Sequence, residues 1–224
     1  MRTELPSGTP VELARPPGTP SAGLVIAPDI GGLRPLFDDL CSRLAAEQGW
    51  VVAAPEPFPG RQEMTLEERM AAVGGLDDER QVGDLLAAAD LTGQERVGLI
   101  GFCMGGMYVH KAAATGRFDA AVSFYGMIRI PENWRGEGHT EPLDALARPG
   151  HTPVLAIVGR RDPYTPPADV EALRGMPGVE VVEYPEAEHG FVHDPSRPAH
   201  RPDDAADAWD RAIRWLAAPA AAGR

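Results

Sequence analysis

The chain has 224 residues, a formal net charge of -12 and an isoelectric point near 4.9. An acidic surface repels phosphate backbones and anionic lipid, so neither nucleic acid nor a membrane is expected as a partner. With 43% hydrophobic residues, the chain has the apolar material for a buried core, and its length fits one domain over residues 1–224 with a loose tail at 219–224.

The amino-terminal segment MRTELPSGTP lacks the basic and then apolar pattern of a signal peptide. No apolar run approaches the ~20 residues that a helix needs to span a bilayer. These features predict a cytoplasmic protein, and we expect a monomer or a weak homodimer.

An early extended segment contains Glu12 and Leu13 and ends at a Pro-Pro-Gly turn at 16–18, which predicts an antiparallel hairpin at a sheet edge. Short apolar runs then predict strands at 24–28, 50–54, 96–102, 120–124, 154–158 and 179–184. Apolar residues at three-to-four spacing predict helices at 37–48, 78–90, 104–115, 168–173 and 203–216. This alternation predicts an α/β fold with a mostly parallel central sheet and helices on both faces, whereas the connections at 55–77 and 130–151 are expected to be irregular.

The segment at 101–105 reads Gly-Phe-Cys-Met-Gly and lies where a predicted strand meets a predicted helix. This is the nucleophile-elbow pattern with Cys103 in the serine position. The flanking glycines leave room where strand and helix converge, and the amino-terminal end of a helix favours a thiolate. The pattern predicts a nucleophilic thiol, with a small buried cysteine as the alternative. We assign Cys41, inside a predicted helix, to packing.

A nucleophile needs a base, and the base needs an orienting acid. Asp162 follows the predicted strand at 154–158, so it lies at the carboxyl end of the sheet, although a turn or helix-capping role is equally compatible with its position. His189 follows the last predicted strand and precedes the last helix, from which an imidazole can reach the elbow. We therefore predict a triad of Cys103, His189 and Asp162.

Four of the other histidines have no supporting partner by position, and the role of His193 stays open. His110, His139, His151 and His200 are expected at the surface. The spacing of the carboxyl-terminal histidines does not match a helical zinc motif, so no metal and no organic cofactor are expected.

At this point the residues resemble the dienelactone hydrolase family of α/β-hydrolases over nearly the whole chain. The stretches that carry the likeness are Val-Ile-Ala-Pro-Asp-Ile-Gly-Gly at 25–32, Val-Gly-Asp-Leu at 82–85, Gly-Phe-Cys-Met-Gly-Gly at 101–106, Gly-Arg-Arg-Asp at 159–162 and the segment 184–191 ending in His-Gly-Phe. The resemblance implies an α/β-hydrolase fold and an oxyanion hole formed by the backbone N–H groups of Ile30 and Met104. It also implies that the acid matching Asp29, a glutamate in the family, contacts the resting thiol and helps to take its proton.

Family members that act on dienelactone hold its carboxylate with arginines, and this chain has His193 where one of them stands. Arg69 or Arg80 is the candidate for the other. A fixed guanidinium is hard to replace in binding a carboxylate, so dienelactone itself is not the assured substrate. The aromatic residues Phe102, Tyr125 and Phe191 are further substrate-binding candidates, although each is compatible with a core position.

The predicted function is hydrolysis of a small ester or lactone through a thioester acyl-enzyme on Cys103. Two alternatives stay open. One is a broad carboxylesterase or thioesterase of the same fold. The other is a non-catalytic protein of the hydrolase fold that binds a small molecule, in which the thiol has a redox or packing role.

Overall fold

An eight-stranded mixed β-sheet organises the chain in the computed structural model, which describes residues 1–218. The strands are β1 (Arg2–Glu4), β2 (Pro10–Ala14), β3 (Ala22–Ala27), β4 (Trp50–Pro55), β5 (Val97–Phe102), β6 (Ala120–Phe124), β7 (Val154–Gly159) and β8 (Val179–Tyr184). Their order across the sheet is β1-β2-β4-β3-β5-β6-β7-β8. From β4 to β8 neighbouring strands are parallel, while β2 is antiparallel to both β1 and β4. The predicted edge hairpin and mostly parallel sheet are confirmed.

Seven α-helices connect and cover these strands within residues 1–218. They are α1 (Pro35–Gln48), α2 (Leu66–Ala72), α3 (Asp78–Leu91), α4 (Met104–Ala113), α5 (Pro142–Leu146), α6 (Pro167–Arg174) and α7 (Pro202–Ala217). On β5, Gly98 faces Leu216 of α7 and Gly101 faces Val109 of α4. Positions an odd number of residues apart point to opposite sides of a strand, so α4 and α7 cover opposite faces of the sheet.

The two connections expected to be irregular contain short helices. Thr65 accepts a hydrogen bond from the Glu68 amide, and the Glu68 carboxylate accepts one from the Thr65 amide, which forms a capping box at the start of α2. The Thr-Leu-Glu-Glu signal for this cap was present in the sequence. Pro142 at the first turn of α5 is a similar signal, so the prediction of purely irregular connections was wrong at both places.

Helix α4 is buried along its whole length against β5 and β6. His110 on this helix is therefore 1% exposed, and its Nε2 lies 3.1 Å from the Ser123 hydroxyl. The prediction of a surface position for His110 was wrong because α4 also packs against α3 and α5, and His110 lies on the side of this helix that faces β6. Burial lowers the pKa of His110 to about 4.

The predicted tail at 219–224 lies outside the described residues. None of the helices within residues 1–218 combines the length and the apolar character required to cross a bilayer.

Candidate active site

The carboxyl ends of the parallel strands bring four predicted site residues to one edge of the sheet. Asp29 follows β3, Cys103 follows β5, Asp162 follows β7, and His189 follows β8. Connections between parallel strands place functional groups at this edge in open α/β sheets. The sequence positions alone therefore account for the shared location of these side chains.

The elbow has the strained backbone that the sequence pattern predicts. Cys103 has φ 56° and ψ -118°, in a region that side-chain-bearing residues rarely occupy. A Cβ on Gly101 would lie 2.4 Å from the Gly105 carbonyl oxygen, and a Cβ on Gly105 would lie 2.1 Å from the Ala27 carbonyl oxygen. Both glycines are required because backbone meets backbone at these points. The Cys103 amide donates to the Phe124 carbonyl at 3.0 Å, which ties the bend to β6.

An imidazole and a carboxylate meet beside this elbow. His189 Nδ1 donates to Asp162 Oδ2 at 2.8 Å, and the Asp162 side chain is fully buried. The other carboxylate oxygen of Asp162 accepts the Tyr164 amide at 2.8 Å, so both oxygens are held. His189 Nε2 is buried and forms no regular hydrogen bond within residues 1–218, which leaves this nitrogen available to the thiol.

Burial and two neighbouring side chains act on the pKa of His189. Burial acts to lower the pKa of this imidazole, but the hydrogen bond to Asp162 and the interaction with the Cys103 sulfur raise it to about 10. These interactions therefore favour the imidazolium form of His189. The structure thus brings together the three residues of the predicted triad.

The loop at 29–34, which contains the predicted oxyanion donor Ile30, lies beside the start of α4. Gly105 packs directly against the Ala27 and Pro28 carbonyls, which brings this loop next to Met104. A buried ion pair supports the loop from below: Arg69 Nη1 lies 3.1 Å from Glu56 Oε1 and 3.5 Å from the Ile30 carbonyl. Glu56 in turn accepts the Leu33 amide at 2.8 Å.

Asp29 does not make the thiol contact that the family resemblance implied. Its carboxylate accepts hydrogen bonds from the Gly31 amide at 2.8 Å, from both terminal nitrogens of Arg34 at 2.6 and 2.8 Å, and from His193 Nε2 at 2.8 Å. No bond from Asp29 to Cys103 is present among residues 1–218. Burial would raise the pKa of Asp29, but the His193 and Arg34 hydrogen bonds hold it well below its usual range. The shorter side chain is fully occupied by these partners.

The predicted substrate-binding residues lie mostly inside the protein. Phe102, Tyr125 and Phe191 are 0% exposed, and both ring nitrogens of His193 are used by Tyr125 and Asp29. These four residues form a buried layer beneath the triad, which agrees with the core alternative for the three aromatic residues, and substrate binding by those residues stays a prediction.

The two arginines proposed as carboxylate clamps are also engaged elsewhere. Arg69 is buried and bonded to Glu56 and to the Gln62 and Met64 carbonyls. Arg80 extends from α3 to the amino-terminal hairpin, where it donates to the Ser7 carbonyl. An arginine is a suitable residue type for binding a carboxylate, but the tertiary contacts of each guanidinium decide what it binds.

Sequence reasoning missed Tyr164 and Arg34. The Tyr164 ring lies edge-on to the His189 ring with centroids 4.9 Å apart, and it is 42% exposed. Its position two residues after Asp162, in a turn closed by that carboxylate, was the available signal. Arg34, five residues after Asp29, had no signal beyond opposite charge.

A parallel sheet flanked by helices, with a cysteine elbow, a histidine and an aspartate at the carboxyl ends of its strands, defines a protein of the α/β-hydrolase class. The chain belongs to the dienelactone hydrolase family, whose model matches residues 10–219. The predicted resemblance, fold and assignment to the carboxylic ester hydrolases are confirmed at this level.

Individual relatives agree with this placement. A Synechocystis protein provisionally named a carboxymethylenebutenolidase is 30% identical over 207 residues, covering 84% of this chain and 82% of its own. The carboxymethylenebutenolidase of Pseudomonas putida is 28% identical over 195 residues, covering 79% and 78%. A Klebsiella pneumoniae crystal structure provisionally named a dienelactone hydrolase superposes with a TM-score of 0.86 at 27% identity, over 98% of each chain.

Proposed function

We propose that this protein hydrolyses a small carboxylic ester or lactone with Cys103 as the nucleophile, His189 as the general base and acid, and Asp162 as the orienting carboxylate. The observation that carries the proposal is the 2.8 Å hydrogen bond between His189 and Asp162 beside a cysteine at a strained elbow, with His189 Nε2 buried and unpaired among residues 1–218. This arrangement supports the assignment of a nucleophile, a base and an orienting acid to the three residues.

In the first half of the reaction, the Cys103 sulfur attacks the ester carbonyl while His189 holds the proton taken from the thiol. The backbone amides of Met104 and Ile30 stabilise the oxyanion, and preorganised donors of this kind contribute ~3 kcal/mol each to lowering the barrier. His189 then gives its proton to the leaving alcohol, and a thioester with Cys103 forms. In the second half, His189 takes a proton from water, the hydroxide attacks the thioester, and the free acid and the thiol are regenerated.

The names of the relatives support a lactone as the substrate class, since carboxymethylenebutenolidases open an unsaturated lactone ring. Arg69 is paired with Glu56 and Arg80 is bonded to the amino-terminal hairpin, so recognition of a carboxylate by those two residues is not part of the proposal. Tyr164 is the exposed aromatic ring beside His189, and we propose that it contacts the planar part of the substrate.

The proposal is tested by rapid mixing with a small activated aryl acetate, followed by acid quenching and mass spectrometry of peptides. We expect one acetyl group on the peptide that contains Cys103, and none in the Cys103→Ala variant. Acetylation of another residue at the rate of turnover would remove the cysteine from the mechanism.

A panel of lactones, simple esters and thioesters then separates the two enzymatic alternatives. A dienelactone-hydrolase-like enzyme is expected to have its highest kcat/KM on an unsaturated lactone. A broad esterase or thioesterase has comparable values on acyclic substrates. Binding without turnover of any of them would favour the non-catalytic alternative.

A further inference from the structure

A chain of four polar side chains runs beneath the triad. The Tyr125 hydroxyl makes a short hydrogen bond to His193 Nδ1, His193 Nε2 lies 2.8 Å from Asp29 Oδ2, and Asp29 is paired through both oxygens with Arg34. Tyr125, His193 and Asp29 are all buried. The arrangement that satisfies every group has the Tyr125 hydroxyl donating to Nδ1 and the His193 Nε2–H donating to the carboxylate.

These hydrogen bonds connect three segments that surround the nucleophile. Tyr125 directly follows Phe124, whose carbonyl accepts the Cys103 amide. His193 lies four residues after His189, on the same loop. Asp29 directly precedes Ile30, and its carboxylate accepts the Gly31 amide at 2.8 Å, so the backbone on one side of Ile30 belongs to Asp29 and the amide that follows it is bonded to the Asp29 side chain. The three segments therefore cannot move independently without breaking a buried hydrogen bond.

The backbone of Tyr125 is strained in the conformation that allows its hydrogen bond to His193. Its φ is 40°, in the left-handed region that residues other than glycine seldom adopt. This backbone conformation directs the Tyr125 ring under the loop that carries His189, where it contacts the His189 ring edge-on with centroids 5.2 Å apart. Strain of this kind persists where surrounding interactions hold it in place.

We propose that His193 is a positioning residue that, acting through Asp29, holds the Ile30 amide in the orientation needed to stabilise the oxyanion. The proposal rests on the proposed function and adds a residue to it. His193 does not touch the substrate, since its ring is enclosed by Phe102 at 4.6 Å, Phe37 at 5.9 Å and Tyr125 at 5.8 Å between centroids.

Two substitutions of His193 separate positioning from packing. Gln places an amide near the Nε2 position and keeps a donor for Asp29. Asn places its amide near the Nδ1 position, keeps a partner for Tyr125 and removes the His193 bond to Asp29, which then has only Arg34 and the Gly31 amide as partners. In His193→Asn we expect kcat on an activated aryl acetate to fall about ten- to hundred-fold with little change in KM, because the oxyanion forms after substrate has bound. In His193→Gln we expect kcat within about three-fold of the native value.

The rate at which iodoacetamide alkylates Cys103 distinguishes a role of His193 in orienting the oxyanion donor from a general structural role. Alkylation has no oxyanion, so its rate is expected to stay within about two-fold of native in both variants while kcat falls only in His193→Asn. A His193→Asn variant with native kcat overturns the proposal. Equal losses of kcat and alkylation rate also overturn it, because His193 would then act on the nucleophile.

Tyr125→Phe removes one hydroxyl and preserves the ring, so it tests the same set of hydrogen bonds if His193→Asn fails to fold. We expect kcat within about three-fold of native and an unchanged alkylation rate, as in His193→Gln, which also lacks the Tyr125–His193 bond. A loss of more than ten-fold contradicts the proposal, because His193 would then act through Tyr125 and not through Asp29. A native protein that alkylates rapidly at Cys103 but hydrolyses no ester would instead overturn the proposed function, which distinguishes that failure from this one.

Discussion

The two cysteines of this chain have opposite environments, although both are buried. Cys41 lies within α1 and is 0% exposed, and burial together with the nearby Glu12 and Asp38 carboxylates raises the pKa of its thiol to about 12. Cys103 lies at a strained bend before α4, 8% exposed, beside an imidazole that is itself held by a carboxylate. An apolar helix interior keeps a thiol protonated, whereas an elbow with a positive neighbour favours the nucleophilic thiolate.

The reactivity of a thiol therefore depends on its position in the fold and not on its residue type or burial alone. Because both cysteines occur in one molecule, Cys41 serves as an internal control for every test of Cys103. The same contrast extends to Asp162, Gly105 and His189, which give Cys103 its different environment.

The largest expected effect is the loss of activity in Cys103→Ala. We expect kcat on an activated ester to fall by about 10⁴-fold or more, since removal of a nucleophile leaves only the oxyanion donors and substrate binding. Cys41→Ala is the matched control and is expected to retain kcat within about two-fold. Comparable activity in the two variants would contradict the assignment of the nucleophile.

The next effect concerns the carboxylate that orients His189. Asp162→Asn is expected to reduce kcat by about 10³- to 10⁴-fold, because an amide at this position no longer favours the imidazolium or fixes the tautomer. Asp144→Asn, an exposed position on α5, is the control. Steady-state kinetics with purified variants measure the difference, and a loss under ten-fold in Asp162→Asn would show that Asp162 is a structural turn residue.

A third prediction tests the backbone contact at the elbow through stability. Gly105→Ala would place a Cβ 2.1 Å from the Ala27 carbonyl, and we expect a loss of about 2–4 kcal/mol in the free energy of unfolding. Gly83→Ala, within α3 and with no atom within 4 Å of the added Cβ, is expected to be neutral or stabilising by up to about 1 kcal/mol. Urea unfolding measures both, and equal stabilities would show that the elbow tolerates a side chain.

The smallest expected effect is a pH dependence of stability from His189. Its pKa is raised from 6.5 to about 10 in the folded state, so its pairing stabilises the protein fully below pH 6.5 and loses that contribution as the pH rises toward 10. Between pH 6.5 and 8.5 we expect the advantage of the native protein over His189→Gln to shrink by roughly 2 kcal/mol. Cys41→Ala should keep the native slope. A His189→Gln variant with the native slope would show that no such pairing exists.

Much of the fold could be predicted because each strand and long helix has a periodic apolar pattern. All six apolar runs form strands in the sheet, with boundaries within two residues of the prediction. The short helices α2 and α5 were not predicted because five to seven residues carry too little periodicity, and only their caps identify them.

Some contacts of the site could likewise be predicted from the sequence, and others could not. The contacts among Cys103, His189 and Asp162 could be anticipated because each residue follows a strand whose carboxyl end is fixed by the topology. The partners of Asp29 could not, since the Arg34 ion pair and the His193 hydrogen bond depend on how two loops pack. The burial of Phe102, Tyr125 and Phe191 likewise depends on α1 and α7 covering one face of the sheet.

The contrast between the two thiols is tested most directly by competitive alkylation of the native protein. Limiting iodoacetamide at pH 7, followed by peptide mass spectrometry and parallel assays of ester hydrolysis, measures both thiols in one sample. The environments described above predict rapid modification of Cys103 alone, with activity lost in proportion to its labelling. Equal, slow labelling of Cys41 and Cys103 with activity retained would contradict a nucleophilic role for the elbow cysteine.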